Sequence, residues 1–441
     1  MRFCLTGALL PSKRIFRSFP LVFVLSSIAF GQLGIAVATA DGFNPVGLWY
    51  ARLLPTESNP VEFQVRISAQ GRGLSANLIN GAASEPFTGA SWDGQTLTLD
   101  LAHYDAKLVA APKGRDLEGT YVRVVASGTR GFRFSASRTA QAPATMKKPG
   151  VSVAGTWAAE IANPGRSSEK ATALLTQKGT HVTGTMATAS GDYGPLHGTF
   201  DGEDLVLTVF NGFFVYRFTA ELLPDGRLAG EFRSGTNPPV DWKASRIDTK
   251  TAAAPFAAPG VKEPEKPLVF SLPGLDGKSV SSTDPRFSGK ALIVTAMGSW
   301  CPNCHDEAPV LEALYRKYRA RSLEVVALSY EYIDDVERSR RLIRQFAGRH
   351  RVSFPIVLAG TTKNAETSPL FSRMDGPRAF PTTLFLNTRH RIVKVHSGFD
   401  GPATDRRFKA LKKEMDETVR KLLGVDTGEL IPPDATSLTV K

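Results

Sequence analysis

The chain has 441 residues, of which 42% are hydrophobic and 22% charged, with a formal net charge of +12. That length is too great for one compact domain and suits about three, and the composition is ordinary for a soluble globular protein. Three cysteines in so long a chain exclude a framework of structural disulfides.

The first forty residues hold Arg2, Lys13, Arg14 and Arg17 and no acid, then the apolar run "FPLVFVLSSIAFGQLGIAV", then "ATA" before Asp41. A basic segment, an apolar segment and an A-x-A site predict a secretory signal over residues 1–40, cut after Ala40. The alternative is an uncleaved N-terminal anchor, although Gln32 and several small residues make the run a poor bilayer span. No L-x-x-C lipobox precedes a cysteine, and no later stretch could span a membrane. Removing the signal removes Cys4 and leaves Cys301 and Cys304.

Two connectors rich in Ala, Pro and Lys follow, 139–150 and 248–264. Both read as extended linkers. They separate 41–138, 151–247 and 265–424, with a polar tail at 425–441. The first two pieces look like one unit copied. Gly47 and Gly155, Trp49 and Trp157, Asp93 and Asp201, and Arg138 and Arg246 all share the offset 108. A constant offset across separated places predicts a tandem repeat. "FQVRISAQGRGLSANLI", "ALLTQKGTHVTGTMA" and "YRFTAELLPDGRLAGEFR" read as hairpins, with Gly at the turns. Two small antiparallel all-β domains, barrels or sandwiches, are expected, with Trp49 and Trp157 as core anchors. Neither shows a cluster of catalytic type, and His103, His181 and His197 occupy unrelated places, which speaks against a metal site.

The third piece changes texture. "PLVFSLPGLDGKSVSS" predicts a hairpin and "ALIVTAM" a buried strand. A helix follows from Pro302 to about Arg321, then strand "LEVVALSY" and helix "DDVERSRRLIRQFAGRH". "FPIVL", "TTLFL" and "RIVKVH" give three strands, and "DRRFKALKKEMDETVRKLL" a last helix capped by Thr404 or Asp405. Strands alternating with helices indicate a mixed sheet covered by helices.

Within this piece "GSWCPNCHDEAP" (298–309) spells two motifs. Cys301, Cys304 and His305 match the C-x-x-C-H of c-type haem attachment, and Trp300 to Cys304 match the W-C-x-x-C of a thiol–disulfide oxidoreductase. The hairpin, the strand into Trp300-Cys301-Pro302-Asn303-Cys304, Glu307 and Pro309 at E-x-P spacing, "FPTTLFLN" and "GFDGPAT" together resemble the TlpA/ResA-like branch of the thioredoxin superfamily. The resemblance covers about 265–424 and implies a multidomain chain, an α/β thioredoxin-like fold preceded by the two β-domains. It also implies that Pro381 is the family's cis-proline. Haem attachment requires neither a buried strand before the motif nor such a loop eighty residues later. Zinc lacks a spaced fourth ligand. No metal and no cofactor are expected.

Cys301 sits at a helix N-terminus, where unpaired N–H groups and the helix dipole favour an anion, so it is the expected attacking thiolate in an exposed position. Pro302 suits the first helical position. Cys304, one turn further in, is expected to be shielded, to resolve, and to form the redox disulfide Cys301–Cys304. Its proton must leave, so a nearby base helps. Thioredoxins proper carry an aspartate six residues before the first cysteine, where this chain has Thr295. Glu307 matches the glutamate of the resembled branch, whereas Asp306 reads as a solvated neighbour. Trp300, Phe380 and Pro381 are the expected substrate contacts, Phe380 through a backbone pairing with an incoming peptide. Tyr330, Glu331 and Tyr332 lie at the expected rim.

The resemblance thus implies a disulfide oxidoreductase of a bacterial periplasm or cell envelope, acting as a reductant. Its partners would be disulfide-bearing exported proteins, with a membrane thiol carrier as electron donor. Residues 265–424 hold 27 Lys and Arg against 18 Asp and Glu, a net of +9, while 41–247 hold 20 against 19. A basic redox piece suits an acidic partner or peripheral contact with an anionic membrane. Nothing suggests nucleic-acid binding. One alternative is a thiol peroxidase, which would want P-x-x-x-T-x-x-C where Gly298 stands three before Cys301. Another is an envelope binding or scaffold protein built on the β-repeats, with an accessory redox domain.

Overall fold

The computed structural model describes residues 42–125, 128–140, 149–248, 259–375 and 379–425. The expected signal and most of both linkers and of the tail lie outside the described residues.

The first β-unit is an antiparallel sheet, of nine strands among the described residues, running from Gly47–Leu54 to Gly128–Ser137. Val61–Gln70 shows why it forms. Val61, Phe63, Val65 and Ile67 alternate inward while Glu62 and Arg66 face water, the period-2 pattern of a half-buried strand. This strand pairs with Gly73–Asn80 as the expected hairpin. The second β-unit closes on itself, because Glu169–Lys178 pairs with both Gly155–Ile161 and His181–Thr188. Closure removes the free edges that an open sheet presents.

Positions 108 apart make matching contacts. The Trp49 indole donates to the carbonyl of Pro45 at 2.8 Å, and that of Trp157 to Val153 at 3.0 Å. Arg138 lies over Trp49 and donates to the Asn44 carbonyl, while Arg246 lies over Trp157 and donates to Ser152. Asp93 accepts from the amides of Gln95 and Thr96, and Asp201 from those of Glu203 and Asp204.

The third unit is a five-stranded sheet in the order Ile356–Thr361, Leu323–Glu331, Ala291–Met297, Thr382–Leu386, Ile392–Ser397. The first three strands run parallel, and the last two join antiparallel as a hairpin. Both faces of Ala291–Met297 are buried, so its sequence is apolar but for Thr295, whose hydroxyl is bonded to Glu307. Ala291, Ile293 and Met297 face a core shared with Leu311 of helix α1 (Pro302–Tyr318), Ile343 of α2 (Val336–His350) and Leu411 of α3 (Arg406–Leu423). Leu292, Val294 and Ala296 face Phe270, Phe287 and Leu370. The expected side-chain cap of the last helix does not form. Thr404 bonds back to the Gly401 carbonyl, and Asp405 makes no capping bond but pairs with Lys409. Among the described residues no helix is long and apolar enough to cross a membrane.

The β-units pack on each other and on the third unit. Tyr121 of the first donates to the Gly212 carbonyl of the second at 2.6 Å. Arg338 and Arg349 of α2 pair with Asp105 and Glu85 of the first β-unit. The loops at 102–104, 189–192 and 211–214 thereby reach the end of the third unit where its central strand meets α1.

Candidate active site

The strand Ala291–Met297 feeds the turn Gly298–Cys301, and Pro302 opens α1. Cys301 is the N-cap, its Sγ accepting the Cys304 amide at 3.3 Å, so one of the helix's unpaired donors is aimed at the sulfur. Both thiols are free. The Cys301 thiol donates to the Phe380 carbonyl at 3.2 Å, just before the cis peptide Phe380–Pro381. This contact brings together the two sequence segments expected to form the site.

Cys304 lies beneath, 1% exposed. Burial, then the adjacent Cys301, holds its thiol well above the ordinary range, and the Glu307 carboxyl adds to this. Glu307 points into the sheet, 2% exposed. The Thr295 hydroxyl donates to its Oε2 at 2.9 Å and the Thr383 hydroxyl to its Oε1 at 2.6 Å. Burial pushes this carboxyl up to about 7, with the two hydroxyls pulling the other way. Thr295 therefore does not replace the missing aspartate as a base; it orients the glutamate. Thr383, two residues past Pro381, escaped the sequence reading, because its isolated pattern is that of a buried strand.

Two of the three expected rim residues are inside, and Tyr332 is half-buried. Tyr330 is fully buried and Glu331 is 1% exposed. Glu331 accepts from the Ser299 amide at 3.0 Å, the Ser299 hydroxyl at 2.6 Å and the Ser329 hydroxyl at 2.6 Å, which moors the turn that carries Cys301. Tyr332 stacks on Trp300 at 4.0 Å between ring centroids, and the Trp300 indole donates to the Tyr330 carbonyl at 2.9 Å. The Phe380 ring packs among Trp300, Tyr330 and Phe371.

Two further expectations are corrected. Cys301 is 4% exposed rather than open to solvent. Its sulfur is enclosed by the Phe380 carbonyl and the Cys304 amide, and beside it Phe213 of the second β-unit packs on Trp300 and Tyr332, with centroids 6.1 and 5.8 Å away. Asp306 is not a solvated side chain. It meets Asp192 of the second β-unit around the α-carbon of Gly401, and desolvation plus the Asp192 charge holds it well above the carboxylate range.

His103 is not isolated either. Its ring lies 5.1 Å from His305, which contacts His350 through Nδ1 at 2.6 Å and donates from Nε2 to the Ser299 carbonyl at 2.8 Å. Burial keeps all three imidazoles neutral, pushing His103 down to about 2 and His350 to about 3, with His305 well below its usual value. Among the described residues no group of His, Cys, Asp or Glu is placed to hold a metal ion.

The Redoxin family matches residues 257–411. Thiol-disulfide oxidoreductase ResA of Halalkalibacterium halodurans is 30% identical over 134 residues, 30% of this chain and 68% of that protein. Thioredoxin-like protein YneN of Bacillus subtilis is 30% identical over 139 residues, 32% of this chain and 74% of its own. This chain belongs to the ResA-like thiol–disulfide oxidoreductases. A solved thiol:disulfide interchange protein of the thioredoxin family from Chlorobium tepidum is 21% identical, covering 38% of this chain and 99% of its own, with a TM-score of 0.29. The ResA-like part is the C-terminal unit, and the two β-units precede all of these matches.

Proposed function

We propose that the protein is an exported protein-disulfide reductase in which Cys301 attacks, Cys304 resolves and Glu307 takes the proton of Cys304. The observation that carries this reading is the free dithiol at the start of α1, with Cys301 facing the Phe380 carbonyl and Cys304 buried near a carboxyl poised close to neutrality.

The Cys301 thiolate attacks one sulfur of a substrate disulfide. A mixed disulfide forms and the other substrate sulfur leaves as a thiolate, which takes a proton from water. Cys304 then loses its proton to Glu307 and attacks the Cys301 sulfur. The Cys301–Cys304 disulfide forms and the second substrate thiolate leaves. Two electrons have passed from the dithiol to the substrate. An outside dithiol, supplied by a membrane thiol carrier, returns them. A general base working near neutral pH is most effective when its own pKa lies there, which is where burial puts Glu307. Phe380 and Pro381 present a backbone edge to the substrate chain, and Trp300 flanks it.

The substrates are disulfide-bearing proteins of a bacterial periplasm or cell envelope, reached through the signal at 1–40. The basic C-terminal unit suits an acidic partner or an anionic membrane surface. The matching contacts at the offset of 108 support two copies of one unit ahead of a redox domain at 265–424.

The test is insulin reduction by the full chain with a dithiol donor, set beside the reduction potential of the Cys301–Cys304 couple. Catalysed precipitation of insulin chains and a potential near those of reducing thioredoxins, about −270 mV, are expected. A potential near −120 mV, in the range of strong oxidants, would reverse the direction of electron flow.

A further inference from the structure

A disulfide exchanging with Cys301 must bring its sulfur onto the Cys301 sulfur, with the attached chain along Phe380–Pro381. Residues of the β-units flank that path. Phe213 lies against both Trp300 and Tyr332. Tyr104 sets its ring edge-on to His305, the residue after Cys304, at 4.9 Å. The backbone at 189–191 runs so close to the third unit that a Cβ on Gly191 would collide with the Asn303 side chain, and one on Gly398 with the Ala189 carbonyl. Both glycines have positive φ, 125° and 74°. Asp192 Oδ2 accepts the Gly401 amide at 2.5 Å. Three loops of the β-units thus converge on the motif and on the segment 398–401.

The same contact zone is imperfectly satisfied. Both ring nitrogens of His103 are buried without a partner, and so is Nε of Arg123, whose guanidinium lies over Phe213. Permanent cores pair such groups, and a buried group left unpaired costs free energy that contact with water restores. At the edge of the zone the fastening is ionic, Arg349 to Glu85 and Arg338 to Asp105. A close fit around the dithiol motif, with unpaired polar groups inside and ion pairs outside, is what a separable contact requires.

We propose that the two β-units are an intramolecular cap on the Cys301–Cys304 dithiol, and that protein disulfides exchange only when this cap lifts. The inference rests on Cys301 being the attacking thiol, but its test does not depend on catalysis. Reduced full-length protein is reacted with iodoacetamide and with a maleimide bearing a long polyethylene glycol chain, and the modified cysteine is identified by mass.

In the wild type the bulky reagent reacts with Cys301 far more slowly than with a short peptide containing WCPNC. Phe213→Ala speeds that reaction about tenfold or more, the scale set by losing a buried aromatic contact. Because Phe213 also belongs to a β-unit core, a second pair of variants works at the edge. Arg349→Glu speeds labelling by placing two carboxylates together, and adding Glu85→Arg slows it again. Peptide-like labelling of the wild type overturns the cap, as does labelling unmoved by Phe213→Ala and by Arg349→Glu, or an exchanged pair that fails to recover protection. Protected labelling without insulin reduction would leave the cap standing and remove the reductase reading.

Discussion

The ResA-like unit and the β-units are folded by similar apolar patterning but carry function in different ways. In the ResA-like unit the proposed chemistry sits in residue types that a local structure demands: two thiols at the start of a helix, a proline at its first position, a proline opposite. In the β-units no residue type betrays a role. Phe213 and Tyr104 are ordinary aromatic residues, and Gly191 an ordinary turn residue, until the fold sets them against Trp300, His305 and Asn303 around the dithiol. Chemistry is written in short motifs, whereas covering a site is a matter of position, which short motifs do not record.

The sharpest way to break this contrast is to remove the thiols. Cys301→Ser should reduce exchange to the uncatalysed background, because the thiolate is the nucleophile. Cys304→Ser should accumulate mixed disulfides with envelope proteins that dissolve with reductant, while Cys301→Ser traps few. Gel shifts under non-reducing conditions read both. Residual exchange in Cys301→Ser would mean that Cys304, the one thiol left after the expected signal is removed, can attack by itself. Trapping by Cys301→Ser alone would exchange the two roles.

The legible and illegible parts of the site divide along the same line. The strand, Cys301, Pro302 and Cys304 are contiguous, and their spacing places the sulfurs one helical turn apart. Glu307 and Pro381 were accessible through family resemblance. The residues that hold this machinery are remote in sequence: Thr383 reaches Glu307 across 76 residues, Glu331 reaches Ser299 across 32, and Asp192 reaches Gly401 across 209. Each reads alone as a strand or turn residue. The expected exposure of Cys301 failed for the same reason, since Phe380, which meets its sulfur, and Phe213, which packs on Trp300 beside it, are both remote in sequence. The hairpins of the β-units were legible because their alternation and glycine turns are local, whereas the pairing of Gly155–Ile161 with Val240–Ile247, which joins segments remote in sequence, was not.

A smaller effect sharpens the account of Glu307. As a base it must be ionised, so wild-type exchange should rise with pH through about 7, and Glu307→Gln should flatten that rise and slow exchange at pH 8 by about 10²-fold. Stability should move the other way. The carboxyl is raised in the folded state above its unfolded value near 4.3, so folding binds its proton more tightly. Stability from this group is gained as pH falls from about 7 to about 4.5, and the cost of the buried charge is complete above 7. Removing that charge should favour Glu307→Gln over the wild type at pH 8 by about 2–3 kcal/mol, with the gap closing by pH 5. His103, His305 and His350, which destabilise the fold on acidification because burial keeps them neutral, are present in both proteins and cancel in the comparison. Thermal melts of the pair at the two pH values check it. A gap that does not change with pH would place Glu307 outside the titrating machinery.

The smallest expected effect compares the β-units with each other. Arg138 and Arg246 are exposed, and each spreads its guanidinium over a buried tryptophan, 3.7 Å from the Trp49 ring centroid and 4.3 Å from that of Trp157. Each also donates to a backbone carbonyl at 2.6 Å, at Asn44 and Ser152. A cation over an aromatic face at an exposed site contributes about 0.5–1 kcal/mol, and a hydrogen bond from a charged donor somewhat more, about 1.5–3 kcal/mol before solvent competes for it. Arg138→Ala and Arg246→Ala should therefore each destabilise their own unit by about 1–2 kcal/mol. The two losses should agree closely if the units are copies that keep this contact for the same structural reason. Lysine at either place keeps the charge but loses the planar stacking surface and the fixed fork, so it should recover only part of the loss. Denaturant melts followed by tryptophan fluorescence, which Trp49 and Trp157 report from inside each unit, measure both. Unequal losses would show that one unit has come to depend on neighbours the other lacks. The first unit, whose core takes in Phe210, Phe213 and Val215 from the second, is where that dependence would fall.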